Sequence, residues 1–98
     1  MNIQQMMAQA QRMQKDIMNK KAAIDAMDFE GKSDWVSISF KGNRDVKSVD
    51  ITNDDAFNPE NKDILCDMIL LAIKDGMNKI EKETESQMGA YSQMGGLF

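Results

Sequence analysis

Four basic side chains lie close together near the start of a chain that is acidic overall. Arg12, Lys15, Lys20 and Lys21 all fall within residues 12–21, whereas the chain of 98 residues has a formal net charge of −4. Guanidinium and ammonium groups in such a cluster could bind phosphate oxygens. Salt screens the repulsion from distant acidic residues more strongly than it screens a direct contact. The cluster is the first candidate site, and the alternative is an ordinary solvated helix face.

Charge divides unevenly around this cluster. Residues 1–27 contain four basic and two acidic residues, a net of +2, and the remaining 8 basic and 14 acidic residues give −6. A typical nucleic-acid module is basic as a whole, so the overall charge argues mildly against nucleic acid. The asymmetry nevertheless favours an anion-binding first segment.

Catalytic chemistry has little support. The chain lacks histidine, the commonest general base and the usual zinc ligand. Asp54 and Asp55 lie in a segment where turn and capping chemistry explains both carboxylates. Cys66 lies in the apolar run ILCDMILLAI and is predicted to be a buried small hydrophobic residue. We therefore expect no catalytic residue, metal, cofactor or small-molecule substrate.

The basic cluster belongs to a long predicted helix. Apolar residues recur at spacings of three and four, and neither glycine nor proline interrupts them: Ile3, Met6, Ala10, Met13, Ile17, Ile24 and Met27. This pattern predicts one helix of about 25 residues, about 37 Å long. The remaining small domain could not cover so long a seam, so we expect the seam to pack partly on a second copy.

The basic residues face different sides of this helix. Arg12 and Lys15 point away from the apolar seam, whereas Lys20 and Lys21 border it. Two acidic residues one turn later, Asp16 and Asp25, are expected to pair with Arg12 and Lys21, each pair stabilising the helix by about 0.2–0.5 kcal/mol.

The middle of the chain changes to the period of a β-sheet. Apolar and polar residues alternate in WVSISF, residues 35–40, and Gly42-Asn43 provides a hairpin turn into residues 44–51, where broken alternation suggests a bulge. A short strand at residues 28–31 completes a predicted three-stranded antiparallel meander.

A second helix follows the sheet. Asn58-Pro59 forms a predicted helix start, and the helix runs from Pro59 to about Gln87. Residues 64–73 are apolar around nearly the whole circumference, so this segment is expected to be buried from more than one side. We predict a single domain over residues 1–88 and a mobile tail over residues 89–98.

Three segments occur in the order AQAQRMQKDIMNKKAAIDAM, VSISFKGNRDVKSVDI and NPENKDILCDMILLAIKDGMNKIEKE, followed by a closing GGLF. This arrangement resembles the YbaB/EbfC family of bacterial nucleoid-associated proteins. The resemblance implies an α+β fold of order α-β-β-β-α, a tweezer-like homodimer, and binding to double-stranded DNA with little or modest sequence preference. It also implies nucleoid organisation or gene regulation in the cytoplasm and no enzymatic activity. The chain departs from the family pattern at GKSDWVS, where many members have a glycine-rich turn.

Together these observations define two sets of candidate residues and one rival function. The candidate DNA-binding residues are basic and lie on both helices: Arg12, Lys15, Lys20, Lys21, Lys79 and Lys82. The candidate dimer-interface residues are apolar: Met13, Ile17, Ile24, Trp35, Val36, Ile38 and Phe40. The rival is an acidic dimeric adaptor or small chaperone that binds a partner's helix along its methionine-rich seam. No secretory signal or membrane span is apparent, so a cytosolic protein with no membrane partner is expected.

Overall fold

The structure, a computed structural model, describes the backbone of residues 2–92 and the side chains of residues 2–89. The predicted α-β-β-β-α order is confirmed, with bounds that differ from the prediction by a few residues. Its elements are α1 (Ile3–Ala26), β1 (Asp28–Lys32), β2 (Val36–Lys41), β3 (Val46–Ile51) and α2 (Lys62–Ser92).

An asparagine side chain caps the N-terminus of each helical region. The side-chain oxygen of Asn2 accepts a hydrogen bond from the Gln5 amide at 2.8 Å and caps α1. The side-chain oxygen of Asn58 accepts one from the Glu60 amide at 3.0 Å, and Pro59 opens a single 3₁₀ turn that leads into α2. The predicted helix start at Asn58-Pro59 is confirmed, although α2 itself begins at Lys62.

The two segments predicted to be a turn and a tail have different outcomes. Asp54 and Asp55 lie in a 3₁₀ turn whose cap, Asn53, accepts a hydrogen bond from the Asp55 amide at 2.8 Å, as turn chemistry predicted. At the other end, α2 continues to Ser92. Residues 89–92, predicted to be tail, are therefore helical, and residues 93–98 lie outside the described part of the chain.

The sheet is antiparallel with strand order β1-β2-β3. Ser39 pairs with Ser48, but the next residue, Phe40, pairs with Val46, so Lys47 is an extra residue on β3. This confirms the predicted bulge. The Lys41 amide donates a hydrogen bond to the Asp45 carbonyl at 2.8 Å, so these two residues close a hairpin loop of three residues, 42–44, between β2 and β3.

The core lies between β2 and α2. The inward-facing residues of β2, namely Val36, Ile38 and Phe40, pack with Ala72 and Ile80 of α2, and all five are at most 2% exposed. The other face of β2 carries Ser37 and Ser39, so only one face of the sheet is apolar, as alternation predicted.

Glycines permit the close approach of α2 to the sheet. A Cβ on Gly31 of β1 would overlap the Ala72 carbonyl oxygen and the Gly76 amide, and a Cβ on Gly76 would overlap the Phe40 ring. Because neither position has a side chain, the helix backbone rests directly on β1 and β2.

The prediction that α2 is buried from more than one side is wrong for the single chain. Leu70 and Leu71 are about half exposed, and the Cys66 thiol is exposed rather than buried. The physical reason is that the three-stranded sheet covers one face of α2, and no other element of the described chain covers the opposite face. Apolar composition alone does not reveal how many faces are covered.

Candidate nucleic-acid interface

The first half of α1 projects from the body. Every residue from Asn2 to Arg12 is exposed, Met13 and Ile17 are partly exposed, and Ile24 is buried. The molecule is correspondingly elongated, with extents of 70 × 20 × 14 Å. A helix segment that is exposed at every residue from Asn2 to Arg12 presents all its sides to a ligand or a partner.

The C-terminal end of α1 is attached to the β2–β3 loop. The Gly42 amide donates a hydrogen bond to the Met27 carbonyl at 3.0 Å, and Lys41 Nζ donates one to the Ala26 carbonyl at 3.3 Å. A cation at this position also complements the partial negative charge at a helix C-terminus. The attachment fixes where the projecting helix leaves the body.

The basic residues of α1 are accessible. Arg12, Lys15, Lys20 and Lys21 are all exposed. Within the described residues, Arg12, Lys15 and Lys21 form no ion pair. The expected helical pairs of Arg12 with Asp16 and of Lys21 with Asp25 are therefore wrong. The charges of these three residues remain available to an external anion.

Lys79, in contrast, is engaged inside the fold. Its Nζ lies 3.0 Å from Asp75 Oδ2 and donates a hydrogen bond to the Glu30 carbonyl at 2.8 Å. Asp75 also accepts a hydrogen bond from the Lys32 amide at 2.9 Å, and this bond, followed by that from Lys79, lowers the pKa of Asp75. Lys79 thus joins α2 to β1, whereas the second candidate on α2, Lys82, is exposed and forms no ion pair among the described residues.

Two further lysines are also engaged. Lys41 and Lys47 lie 2.9 Å and 3.0 Å from the same oxygen of Asp28. Hydrogen bonds from Lys41 and then Lys47 lower the pKa of Asp28. These lysines therefore neutralise a carboxylate of the sheet, and they are less available to an external anion than Arg12, Lys15 and Lys21 of α1.

The predicted dimer-interface residues fall into two groups. Val36, Ile38 and Phe40 are buried in the core of their own chain, and Ile24 is 3% exposed. Their side chains therefore offer no surface to a second chain, which differs from the predicted interface role. The other three, which are partly exposed, could still contact a partner: Met13, Ile17 and Trp35.

Another apolar surface is more exposed than these residues. Val46 and Val49 of β3 pair with Phe40 and Ile38 and so share the apolar face of the sheet, but α2 packs mainly on β1 and β2. Both valines are consequently more than half exposed. We define the β3–α2 surface by exposed apolar side chains of β3 and of one flank of α2, which are Val46, Val49, Leu70 and Ile73.

The predicted set of basic residues omitted Arg44. This residue is exposed in the β2–β3 loop, has a positive φ of 74°, and lines a cleft together with Lys21. The available signal was a basic residue directly after Gly42-Asn43. Sequence reasoning could not find its proximity to Lys21, because 22 residues separate the two in the chain.

Neither of the two long helices in the described part of the chain is apolar over a stretch long enough to cross a bilayer.

Comparisons with known proteins agree with the resemblance. The model of the YbaB/EbfC DNA-binding family matches residues 1–96. A nucleoid-associated protein of Lactococcus lactis subsp. cremoris (strain MG1363) is 40% identical over 95 residues, covering 95% of each chain. One from Enterococcus faecalis is 37% identical over 94 residues, covering 94% of this chain and 89% of the relative.

A solved structure shares the fold. The crystal structure of the uncharacterized protein HP0035 from Helicobacter pylori superimposes with a TM-score of 0.74 and 22% identity, covering 97% of this chain and 99% of that one. With the family match over residues 1–96, these findings show that the chain belongs to the YbaB/EbfC DNA-binding family, a family of nucleoid-associated proteins and not of enzymes.

Proposed function

We propose that this protein is a homodimer that binds double-stranded DNA mainly through phosphate contacts made by α1. The observation that carries the proposal is the exposure of α1 together with the unpaired state of Arg12, Lys15 and Lys21 among the described residues. Such cations can release counterions from DNA, the main source of sequence-independent affinity. Membership of a DNA-binding family supports the same ligand.

Little sequence preference follows from the chemistry of these side chains. Phosphate contacts position a protein on the duplex, whereas base-edge contacts specify sequence. The candidate cations are all flexible side chains on an exposed helix. We therefore propose a role in nucleoid organisation or gene regulation in the cytoplasm, without enzymatic activity, in keeping with relatives named nucleoid-associated proteins.

Dimer formation supplies the charge that a single chain lacks. One α1 carries four basic residues, and two copies carry eight, a number comparable with the phosphate contacts of proteins that bind DNA strongly at low salt. The β3–α2 surface supports dimerisation because it leaves four large apolar side chains exposed, and burial of such area against a second copy would be favourable. Met13, Ile17 and Trp35 could extend this contact.

A charge-reversal experiment tests the proposed ligand. Arg12→Glu with Lys15→Glu should abolish gel-shift binding to a short duplex at low salt and leave the oligomeric state unchanged, because both side chains lie on the exposed side of α1. The matched control is Lys62→Glu with Lys74→Glu, which makes the same change in net charge at two exposed lysines on α2. Equal binding by the two double variants would show that total charge, not α1, governs affinity.

The rival function retains one supporting observation. Met13, Ile17 and Met18 form an open apolar surface on α1, with Ala10 beside them. Methionine-rich surfaces adapt well to a partner's amphipathic helix. An adaptor would retain a defined protein partner after nuclease treatment and high salt, and would not bind the duplex at low salt.

A further inference from the structure

We propose that Arg44 and Lys21 form a second phosphate-binding point, at the junction between α1 and the β2–β3 loop. This inference rests on the proposed function, since its ligand is the phosphate backbone of the same DNA. It differs from the outward-facing pair Arg12 and Lys15 in position and in the elements that build it.

The two residues come from different elements and meet at one cleft. The cleft has a volume of about 290 Å³ and is lined by Lys21 and Asp25 of α1, Gly42 and Arg44 of the loop, and Thr84 of α2, with Ile24 and Met88 as its apolar wall. Lys21 and Arg44 contribute two positive charges, and Asp25 contributes the one negative charge. The lining therefore carries a net positive charge toward an approaching phosphate.

The polar groups near Arg44 leave its guanidinium available. Asp45, the adjacent carboxylate, accepts a hydrogen bond from the Asn43 side-chain amide at 3.1 Å. The Thr84 hydroxyl donates to the Ile80 carbonyl at 2.8 Å. Within the described residues, neither Arg44 nor Lys21 forms an ion pair. Both cations are thus available to an external anion.

The backbone of Arg44 adds an independent observation. Its φ of 74° lies in the left-handed region. A three-residue hairpin loop requires this conformation at its third residue, which here is Arg44. Glycine adopts this conformation without cost, whereas a residue with a Cβ does not. An arginine at this position is therefore unfavourable for folding. A role in phosphate binding would account for its presence.

The junction also has a fixed geometry. The Gly42 amide donates to the Met27 carbonyl at 3.0 Å, and the Arg44 amide donates to the Lys41 carbonyl at 2.8 Å. Both ends of the loop are consequently tied to elements of the body. A guanidinium held on such a loop loses less freedom on binding than one on the free end of α1.

Lys21 and Arg12 lie on opposite sides of α1, because nine residues at 100° each amount to about half a turn beyond whole turns. The two points therefore contact different phosphates. Each phosphate contact should steepen the slope of log affinity against log salt by about 0.9, and the contributions of the two points should add.

Arg44→Gly tests this proposal, because it should move stability and DNA binding in opposite directions. Relief of the positive φ should raise the urea midpoint of unfolding, and loss of the guanidinium should make the slope of log affinity against log salt shallower by about 1 to 2 for a dimer. Lys21→Ala should change the slope similarly, and Lys74→Ala, at an exposed lysine of α2, should leave it unchanged.

Three outcomes separate the possibilities. An unchanged slope for Arg44→Gly, with wild-type binding intact, overturns the second phosphate-binding point and leaves the proposed function standing. Absence of wild-type binding at low salt overturns the proposed function and this inference together. A shallower slope for Arg44→Gly that Arg44→Lys restores supports the contact, since lysine keeps the charge while the loop retains a side chain.

Discussion

The amide nitrogen of Gly42 lies 3.0 Å from the carbonyl oxygen of Met27, which bonds the β2–β3 loop to the end of α1. Gly42 is buried, and a Cβ at this position would overlap the Ile24 carbonyl oxygen. The loop and the helix therefore approach backbone to backbone. This contact sets the direction in which α1, with its exposed basic residues, leaves the sheet.

Gly42→Ala should destabilise the protein by about 1–3 kcal/mol, the usual cost of forcing extra atoms into a packed contact. Urea unfolding followed by circular dichroism measures the free energy of unfolding directly. The control is Gly89→Ala in α2, where an added Cβ meets no atom of the described residues within 4 Å beyond its own helical turns and alanine should stabilise the helix. If both variants lose stability equally, the close contact at Gly42 is not what matters.

Stability should fall at low pH as the Asp75 contacts are lost. The pKa of Asp75 lies below its ordinary value of 3.8 because of hydrogen bonds from the Lys32 amide and Lys79. A carboxylate whose pKa is lower in the folded state stabilises the fold above about pH 4 and loses that contribution as the pH decreases further. The urea concentration at the midpoint of unfolding should therefore decrease as the pH is lowered below 4. Asp75→Asn should make that decrease smaller.

Asp50→Asn is the matched control for this pH series. Asp50 is exposed on β3 and forms no side-chain hydrogen bond or ion pair among the described residues. Asp50→Asn should therefore show the same dependence of the urea midpoint on pH as the wild type. An Asp75→Asn profile that overlays the wild type at every pH would contradict the stabilising role of Asp75.

Lys79→Met should affect stability more than DNA binding. The substitution removes the ion pair to Asp75 and the hydrogen bond to the Glu30 carbonyl, at a cost of about 0.5–1.5 kcal/mol. The methionine retains most of the apolar stem. A duplex-binding salt slope equal to that of the wild type is expected. If the salt slope of Lys79→Met is shallower than that of the wild type by the equivalent of one or more phosphate contacts, Lys79 contacts DNA.

Val49→Asp with Leu70→Asp should convert the proposed dimer to a monomer. Both side chains are at least half exposed on the β3–α2 surface, and a carboxylate at each would be costly to bury between two chains. Sedimentation equilibrium measures the change. The control, Met7→Asp, introduces a carboxylate at a 58% exposed side chain of α1 and should remain dimeric.

Much of the fold could be predicted because its signals are local. Alternation in WVSISF predicted the buried face of β2, and Asn58-Pro59 predicted the start of the second helical region. The bulge at Lys47 was visible as a break in the alternation of β3. Each of these features depends on residues adjacent in sequence, so no tertiary information was needed.

The errors arise where tertiary contacts decide the outcome. Cys66 was expected to be buried because its neighbours are apolar, but the sheet covers only one face of α2. Lys79 looked like any other cation of a polar helix end, and its engagement with the Glu30 carbonyl joins residues 49 positions apart. Arg44 was omitted for the same reason, since its cleft combines three separate elements.

The most direct test of phosphate binding by a dimer is a gel-shift titration of the wild-type protein with one duplex over a range of salt concentrations. Neutralisation of roughly four to eight phosphates predicts that log affinity falls against log salt with a slope of about −4 to −7. A duplex of unrelated sequence should give nearly the same slope. A slope near zero, or no binding at low salt, would contradict the proposed function.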